Sequence, residues 1–273
     1  SVIINTYNYG AYIEKAIESV IAQTIPHEER EIIVVDDGSV DSTPELLKKY
    51  SSEITYIYKS NGGQASALNA GIAAARGSII AFLDADDYWA QNKLQSVVEV
   101  YKRVPSVDFV YHNLQVVDRD ENIIKTYLPS DADSGNGINV RTIDLSTYLK
   151  GKFHTGFITT SGITVRSSCL NKVMPIPEDY RICADTYIHF ILPFYTGKFA
   201  VIDESLGCYR MHGENRFENM SMDKKKLAIL VQIYKLLVRD IETHCNALSL
   251  EGRRLKATIL DYITEWDYML NDK

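Results

Sequence analysis

The chain has 273 residues, 45% of them hydrophobic, which is enough apolar surface for a full core and excludes a disordered protein. A formal charge of −7 and a pI near 5.4 argue against a general nucleic-acid binder, which needs a basic face for the phosphates, so no nucleic-acid partner is expected. Cys169, Cys183, Cys208 and Cys245 are dispersed, with no C-x-x-C pair, and fit buried thiols in a reducing cytoplasm; no apolar run approaches the roughly 18 residues that span a bilayer, and no cleavable signal is visible.

Four short apolar, β-branched runs at residues 2–4, 32–35, 54–58 and 79–83 recur at similar intervals and read as buried parallel strands. Between the first two, Ile13, Ala16, Ile17, Val20 and Ile21 form one apolar helical face. The second connection opens with Ser42-Thr43-Pro44-Glu45, where Ser42 and Glu45 have capping-box spacing and Pro44 suits a first turn. The third, residues 64–75, is alanine-rich and helical, with Arg76-Gly77 as its expected C-cap. This alternation implies a doubly wound sheet, which binds ligands beyond the carboxyl ends of its strands.

Downstream, residues 94–102 form another amphipathic stretch and residues 107–111 a fifth strand. Residues 130–139 (SDADSGNGIN) are polar and glycine-containing and read as a surface loop or acceptor-side flap. Short strands are expected over 153–166, with the 153–161 stretch, like the 130–139 loop, a candidate for the acceptor side, and a helix is expected over 185–195. Two long helical patterns, 222–241 and 250–270, carry no obvious chemistry, and no internal repeat is present.

Three strand ends carry polar clusters: Asn5-Thr6-Tyr7-Asn8, Asp36-Asp37-Gly38-Ser39 and Asp84-Ala85-Asp86-Asp87. All three are expected along one edge of the sheet. Carboxylates converging there repel one another, and a hard divalent cation is the usual way to keep them charged. An Asp-x-Asp at a strand end places two carboxylates on one side while the small Ala85 points away, a geometry suited to Mg²⁺ or Mn²⁺ bridging a diphosphate. Taken singly, each Asp also suits a turn or a helix cap ahead of Asn92-Lys93.

These motifs, in this order, resemble the family 2 glycosyltransferases of GT-A fold. The resemblance runs through residues 1–8 (SVIINTYN), Gln23-Thr24, residues 34–39 (VVDDGS), residues 61–63 (NGG) with 69–72 (NAGI), and residues 82–87 (FLDADD), and it covers about residues 1–218. It implies an α/β protein with a Rossmann-like, mostly parallel sheet flanked by helices. The nucleotide-binding part would occupy about 1–112, the acceptor-side part about 113–218, and a C-terminal helical extension 219–273. By the same resemblance, Thr6, Tyr7 and Asn8 line the nucleoside pocket, Asp37 hydrogen-bonds the base (uracil being commonest) and Gln64 joins the donor pocket. Asp86 binds the metal, and Asp84 faces the ribose or the metal. Asn5 stands where the family often has Pro, in a turn that makes backbone contacts, so little consequence is expected.

Residues 181–187 (RICADTY) resemble the family's Glu-Asp pair ahead of a helix, with the first acid replaced by Ala184. The remaining Asp185 is implied as the base that takes the acceptor hydroxyl proton, although its position also suits a helix N-cap. Residues 209–215 (YRMHGEN) resemble the segment that closes over the donor diphosphate. There Arg210 would pair with phosphate oxygens, and His212 would be a third metal ligand or order the loop.

The implied activity is inverting, metal-dependent hexosyl transfer from a nucleotide-diphosphate sugar, UDP-linked in the family's commonest form, to a carbohydrate or glycoconjugate hydroxyl in polysaccharide or cell-surface glycan synthesis. The rivals are a nucleotidyltransferase, which would want a basic glycine-rich loop that residues 5–10 lack, and a non-catalytic or hydrolysis-only relative, kept open by Ala184. Leu227, Leu230, Val231, Tyr234, Leu237, Val238 and Ile241 form an apolar stripe expected to pack on its own domain. A homodimer interface or peripheral membrane contact, with Lys224, Lys225 and Lys226 beside it, is the second reading.

Overall fold

The computed structural model describes residues 1–125, 140–144, 159–196, 198–213, 215, 224–244 and 250–271. The 130–139 loop, residues 153–158 and Cys245, all given expectations above, lie outside the described residues.

Strands β1 (Val2–Thr6), β2 (Ile32–Asp36), β3 (Thr55–Tyr58) and β4 (Ile79–Asp84) pair in parallel in the order β3-β2-β1-β4. Helices α1 (Ile13–Ile21), α2 (Thr43–Leu47) and α3 (Gln64–Ala74) make the crossovers. The two-residue period of a strand splits β1 between two cores. Val2 and Ile4 pack with Ile13, Ile17 and Val20 of α1, whereas Ile3 packs with Ala65 and Leu68 of α3. Gly71 lets α3 lie close on the sheet, since a Cβ there would stand 2.5 Å from Ile3 Cγ2.

Beyond β4 the sheet turns mixed. Strand β5 (Tyr88–Trp89) leads into α4 (Lys93–Arg103), followed by β6 (Phe109–Val117), β7 (Ile123–Lys125), β8 (Val140–Asp144) and β9 (Ile163–Arg166). A short helix α5 (Ser167–Leu170) and helix α6 (Ala184–Ile191) precede the long β10 (Lys198–Arg210). β9 lies antiparallel between β4 and β6, and β10 runs parallel to β6. Helices α7 (Lys224–His244) and α8 (Leu250–Asn271) follow. Their Val231, Leu237, Ile241, Leu255 and Ile259 share one core with Tyr187 and Ile188 of α6, so the apolar stripe is covered within the chain. His244 reinforces this packing, with Nε2 2.8 Å from Tyr187 Oη and Nδ1 3.0 Å from Tyr195 Oη. Among the described residues no helix is long and apolar enough to cross a membrane.

Three local expectations are corrected. β3 is not buried: it is the sheet edge, and Tyr56 and Tyr58 are exposed. Ser42 does not cap α2, because it already has helical backbone angles. Asp41, one residue earlier, accepts from Thr43 N at 2.9 Å instead. α3 ends at Ala74, before Arg76-Gly77, because the amides of Arg76 and Gly77 turn to the Glu31 carboxylate at 2.7 and 3.2 Å.

Candidate active site

The carboxyl ends of β1, β2 and β4 are neighbours by register, Thr6 beside Asp36 and Asn5 beside Asp84. A cleft of about 840 Å³ opens above them. Thr6, Tyr7, Asn8 and Asp37 line one end of it, Gln64, Asp84 and Asp86 the middle, and Asp185 the other side.

The end lined by Thr6, Tyr7, Asn8 and Asp37 is organised by short-range hydrogen bonds. Asn8 takes the left-handed conformation (φ 60°), accessible to Asn at small cost. Its amide donates to Ser39 Oγ at 2.8 Å and its Oδ1 accepts from Val40 N at 2.8 Å, tying the turn after β1 to the turn after β2. Asp36 faces inward, accepting from Ser39 N at 2.7 Å and Tyr56 Oη at 2.9 Å. Asp37 accepts from Lys59 Nζ (2.7 Å), Gly62 N (2.9 Å) and Gly63 N (2.7 Å), so it shapes the loop before α3 as well as lining the cleft. Gly63 is required in that loop: its φ is +92°, and a Cβ would stand 2.6 Å from Arg181 Cα. Asn5 Oδ1 and Thr6 Oγ1 are buried at the cleft floor without a hydrogen-bond partner among the described residues.

At the middle, Ala85 is buried in the α1-side core and splits Asp84 from Asp86. Burial, then the nearby charges of Asp86 and Asp185, hold the Asp84 carboxyl above the usual range. Asp87 points inward, accepting from Ser161 Oγ at 2.5 Å and Arg210 N at 3.0 Å, and burial raises its carboxyl as well. His212 Nε2 lies 3.1 Å from Asp86 Oδ2, and its ring stacks on Tyr12 at 4.5 Å. Asn215 closes this loop: its Oδ1 accepts from His212 N at 2.7 Å and its Nδ2 donates to Arg210 O at 2.7 Å.

Arg210 departs from its expected place. Its guanidinium donates to Asp86 O (3.1 Å), Arg119 O (3.3 Å) and Glu121 (3.2 Å), within cation–π reach of the Tyr12 and Tyr88 rings. With Tyr12, Arg119 and Glu121 it lines a smaller cavity that shares Asn8 with the main cleft.

Asp185 occupies the first turn of α6, whose N-cap, Cys183, is left-handed (φ 52°). Burial pushes its carboxyl up to about 6, against hydrogen bonds from Thr186 N (3.0 Å) and from Thr160. The oxygen donors of Asp84 and Asp86 with the His212 imidazole suit Mn²⁺ or Mg²⁺, and the mutual crowding of the carboxylates is what such a cation relieves. Among the described residues no three His, Cys, Asp or Glu side chains already converge as a metal site. What was not foreseen is Tyr12, the inward role of Asp87, and the individual bonds of Thr160 and Ser161 to Gln64, Asp84 and Asp87, although both lie in the 153–161 stretch read as acceptor-side.

Residues 1–172 match the model of glycosyl transferase family 2. An uncharacterized glycosyltransferase of Nostoc sp. is 40% identical over 220 residues, 79% of this chain and 65% of that relative, so the chain spans just under two thirds of its length. S. aureus TarS 1–349 in complex with UDP-GlcNAc superposes with a TM-score of 0.71 at 18% identity, over 100% of this chain and 75% of that one. A mannosyltransferase from Pyrobaculum calidifontis in complex with GDP-Man and Mn²⁺ gives a TM-score of 0.58 at 16% identity, over the same shares. The mixed α/β architecture is the GT-A fold that the resemblance implied. With the family model covering well over half of it, the chain belongs to glycosyl transferase family 2.

Proposed function

We propose that this chain transfers a sugar from a nucleoside-diphosphate donor, UDP-linked, to a carbohydrate or glycoconjugate hydroxyl with inversion at the anomeric carbon. The observation that carries the reading is that the strand-end carboxylates Asp84 and Asp86 and the half-buried Asp185 face one cleft large enough for a nucleotide sugar. Asp86 and His212, with Asp84 beside them, would hold Mn²⁺ or Mg²⁺. When bound, the cation neutralises charge growing on the leaving diphosphate.

The protein's own groups supply the rest. Thr6, Tyr7, Asn8 and Asp37 bind the nucleoside, with the unpartnered Asn5 Oδ1 and Thr6 Oγ1 offering polar contacts at the floor. Asp185 takes the proton of the acceptor hydroxyl as its oxygen bonds to the anomeric carbon, while the bond from that carbon to the diphosphate oxygen breaks and its electron pair leaves with the nucleoside diphosphate. A carboxyl held near 6 is a stronger base than an ordinary aspartate and is still ionised at neutral pH. Arg210, engaged by the hairpin, is assigned to holding the His212 loop. The nucleotidyltransferase reading is disfavoured because residues 5–10 supply no cation to the cleft.

The test is a panel of nucleotide sugars screened by thermal shift with Mn²⁺ and with EDTA, followed by release of free nucleoside diphosphate in the presence of acceptor glycans. A Mn²⁺-dependent shift with UDP-sugars and acceptor-stimulated UDP release is expected. Release of pyrophosphate from a nucleoside triphosphate and a sugar phosphate would replace the reading with nucleotidyl transfer.

A further inference from the structure

Gln64, at the first position of α3, lines the middle of the cleft. Its Oε1 accepts from Ala184 N, the first amide of α6, at 2.9 Å. Its Nε2 lies 3.3 Å from Asp84 Oδ1 and 3.3 Å from Thr160 Oγ1. Its backbone amide donates to Arg181 O at 2.8 Å, and the next amide, that of Ala65, to Tyr180 O at 3.1 Å. Thr160 in turn hydrogen-bonds both carboxylates, Asp84 and Asp185.

We propose that Gln64 is a positioning residue for the transfer step, its side-chain amide bridging the end of β4 to the start of α6 so that Asp185 stands at a fixed spacing from Asp84 and the diphosphate beyond it. The proposal rests on the reading of Asp185 as the base, and it gives Gln64 a task beyond lining the donor pocket.

The chemistry of the amide supports this. A helix N-terminus leaves backbone N–H groups unpaired, and the N-cap residue of α6, Cys183, contributes no side-chain cap. Gln64 supplies that acceptor from a helix 120 residues away in sequence. With Oε1 pinned by an N–H, Nε2 must present its two hydrogens to a carboxylate and a hydroxyl, so the orientation of the amide follows from its partners. Glutamate would satisfy Ala184 but oppose Asp84, and an aliphatic residue would satisfy neither. A neighbour on α3 gives the contrast: Asn69 also ties this helix to the segment leading to α6, through Ile176 N (2.9 Å) and Ile176 O (2.8 Å), but touches neither carboxylate.

The experiment is a double-mutant cycle on the full chain with Gln64→Met and Asp185→Asn, reading kcat for transfer, the Kd of UDP with Mn²⁺ and the Tm. Gln64→Met is expected to lower kcat about 10- to 100-fold, the scale of a small misplacement of reacting groups, with UDP affinity within about threefold. In the Asp185→Asn background it should cost almost nothing more, because the group it aligns is already gone. Thr160→Val, which breaks the same bridge from its other side, should reproduce the kcat loss even if the Met variant folds poorly. Asn69→Ala should lower the Tm yet keep kcat within about threefold. Additive losses in the double variant, or an equal kcat loss from Asn69→Ala, would reduce Gln64 to a structural residue. Near wild-type turnover by Asp185→Asn alone would instead remove the base, and this inference with it.

Discussion

The two ends of the cleft are built by different means. The nucleoside end is made by strand termini that are register neighbours, and its turns are held by bonds among residues 5–8, 36–41 and 59–63. The base end is a helix start held by side chains from elsewhere, Gln64 and Thr160, with α7 packed behind it. The difference teaches that the proposed donor and base ends are held mostly by different bonds and meet through the Gln64–Thr160 bridge between Asp84 and α6, so a side chain can be lost from one end without stripping the other.

The sharpest way to break that comparison is at Asp185. Replacing it with Asn keeps the shape and removes the proton acceptor, and kcat for transfer should fall by about 10²-fold or more while the UDP Kd stays within about threefold; steady-state kinetics beside calorimetry checks both. Asp86→Asn acts instead at the middle of the cleft, on the proposed metal. It should weaken Mn²⁺-dependent UDP binding by about 10- to 100-fold, seen as a loss of the difference between Mn²⁺ and EDTA titrations.

Asp37→Ala should have a smaller and mixed effect. It strands Lys59 and the amides of Gly62 and Gly63, so about 1–3 kcal/mol of stability should go with part of the UDP affinity, measured by denaturant unfolding and calorimetry. An Asp37→Ala protein with unchanged UDP affinity would move the base pocket elsewhere.

The mildest test is pH. A base with its carboxyl raised to about 6 must lose its proton to act, so kcat should rise tenfold per unit below that pH and level off above it. A limb near 4 would mean that Asp185 behaves as an ordinary exposed carboxylate.

The same contrast explains what was legible in the sequence. The strand runs, the α1 face and the Asp-containing strand ends are short-range signals, and β1, β2 and β4 form where their apolar runs stand. Local chemistry still decided between close alternatives, as when Asp41 displaced Ser42 as the acceptor at α2. The base end was legible only through its resemblance to a motif, because its supports are long-range. Gln64 meets Ala184 across 120 residues, and Ser161 meets Asp87 across 74. The bonds of Arg210 to Arg119 and Glu121 were not legible for a related reason: the hairpin over residues 117–125 carries no motif that announces it.

The measurement closest to the central claim is a calorimetric titration of UDP into three proteins, wild type, Asp86→Asn and Asp185→Asn, each in Mn²⁺ and again in EDTA. The expected pattern is tight, Mn²⁺-dependent binding by the wild type and by Asp185→Asn, with the Mn²⁺ dependence lost in Asp86→Asn. Equal affinity for UDP in Mn²⁺ and EDTA by the wild type, or collapse of binding in Asp185→Asn with the fold intact, would contradict a cleft whose donor and base ends are separate.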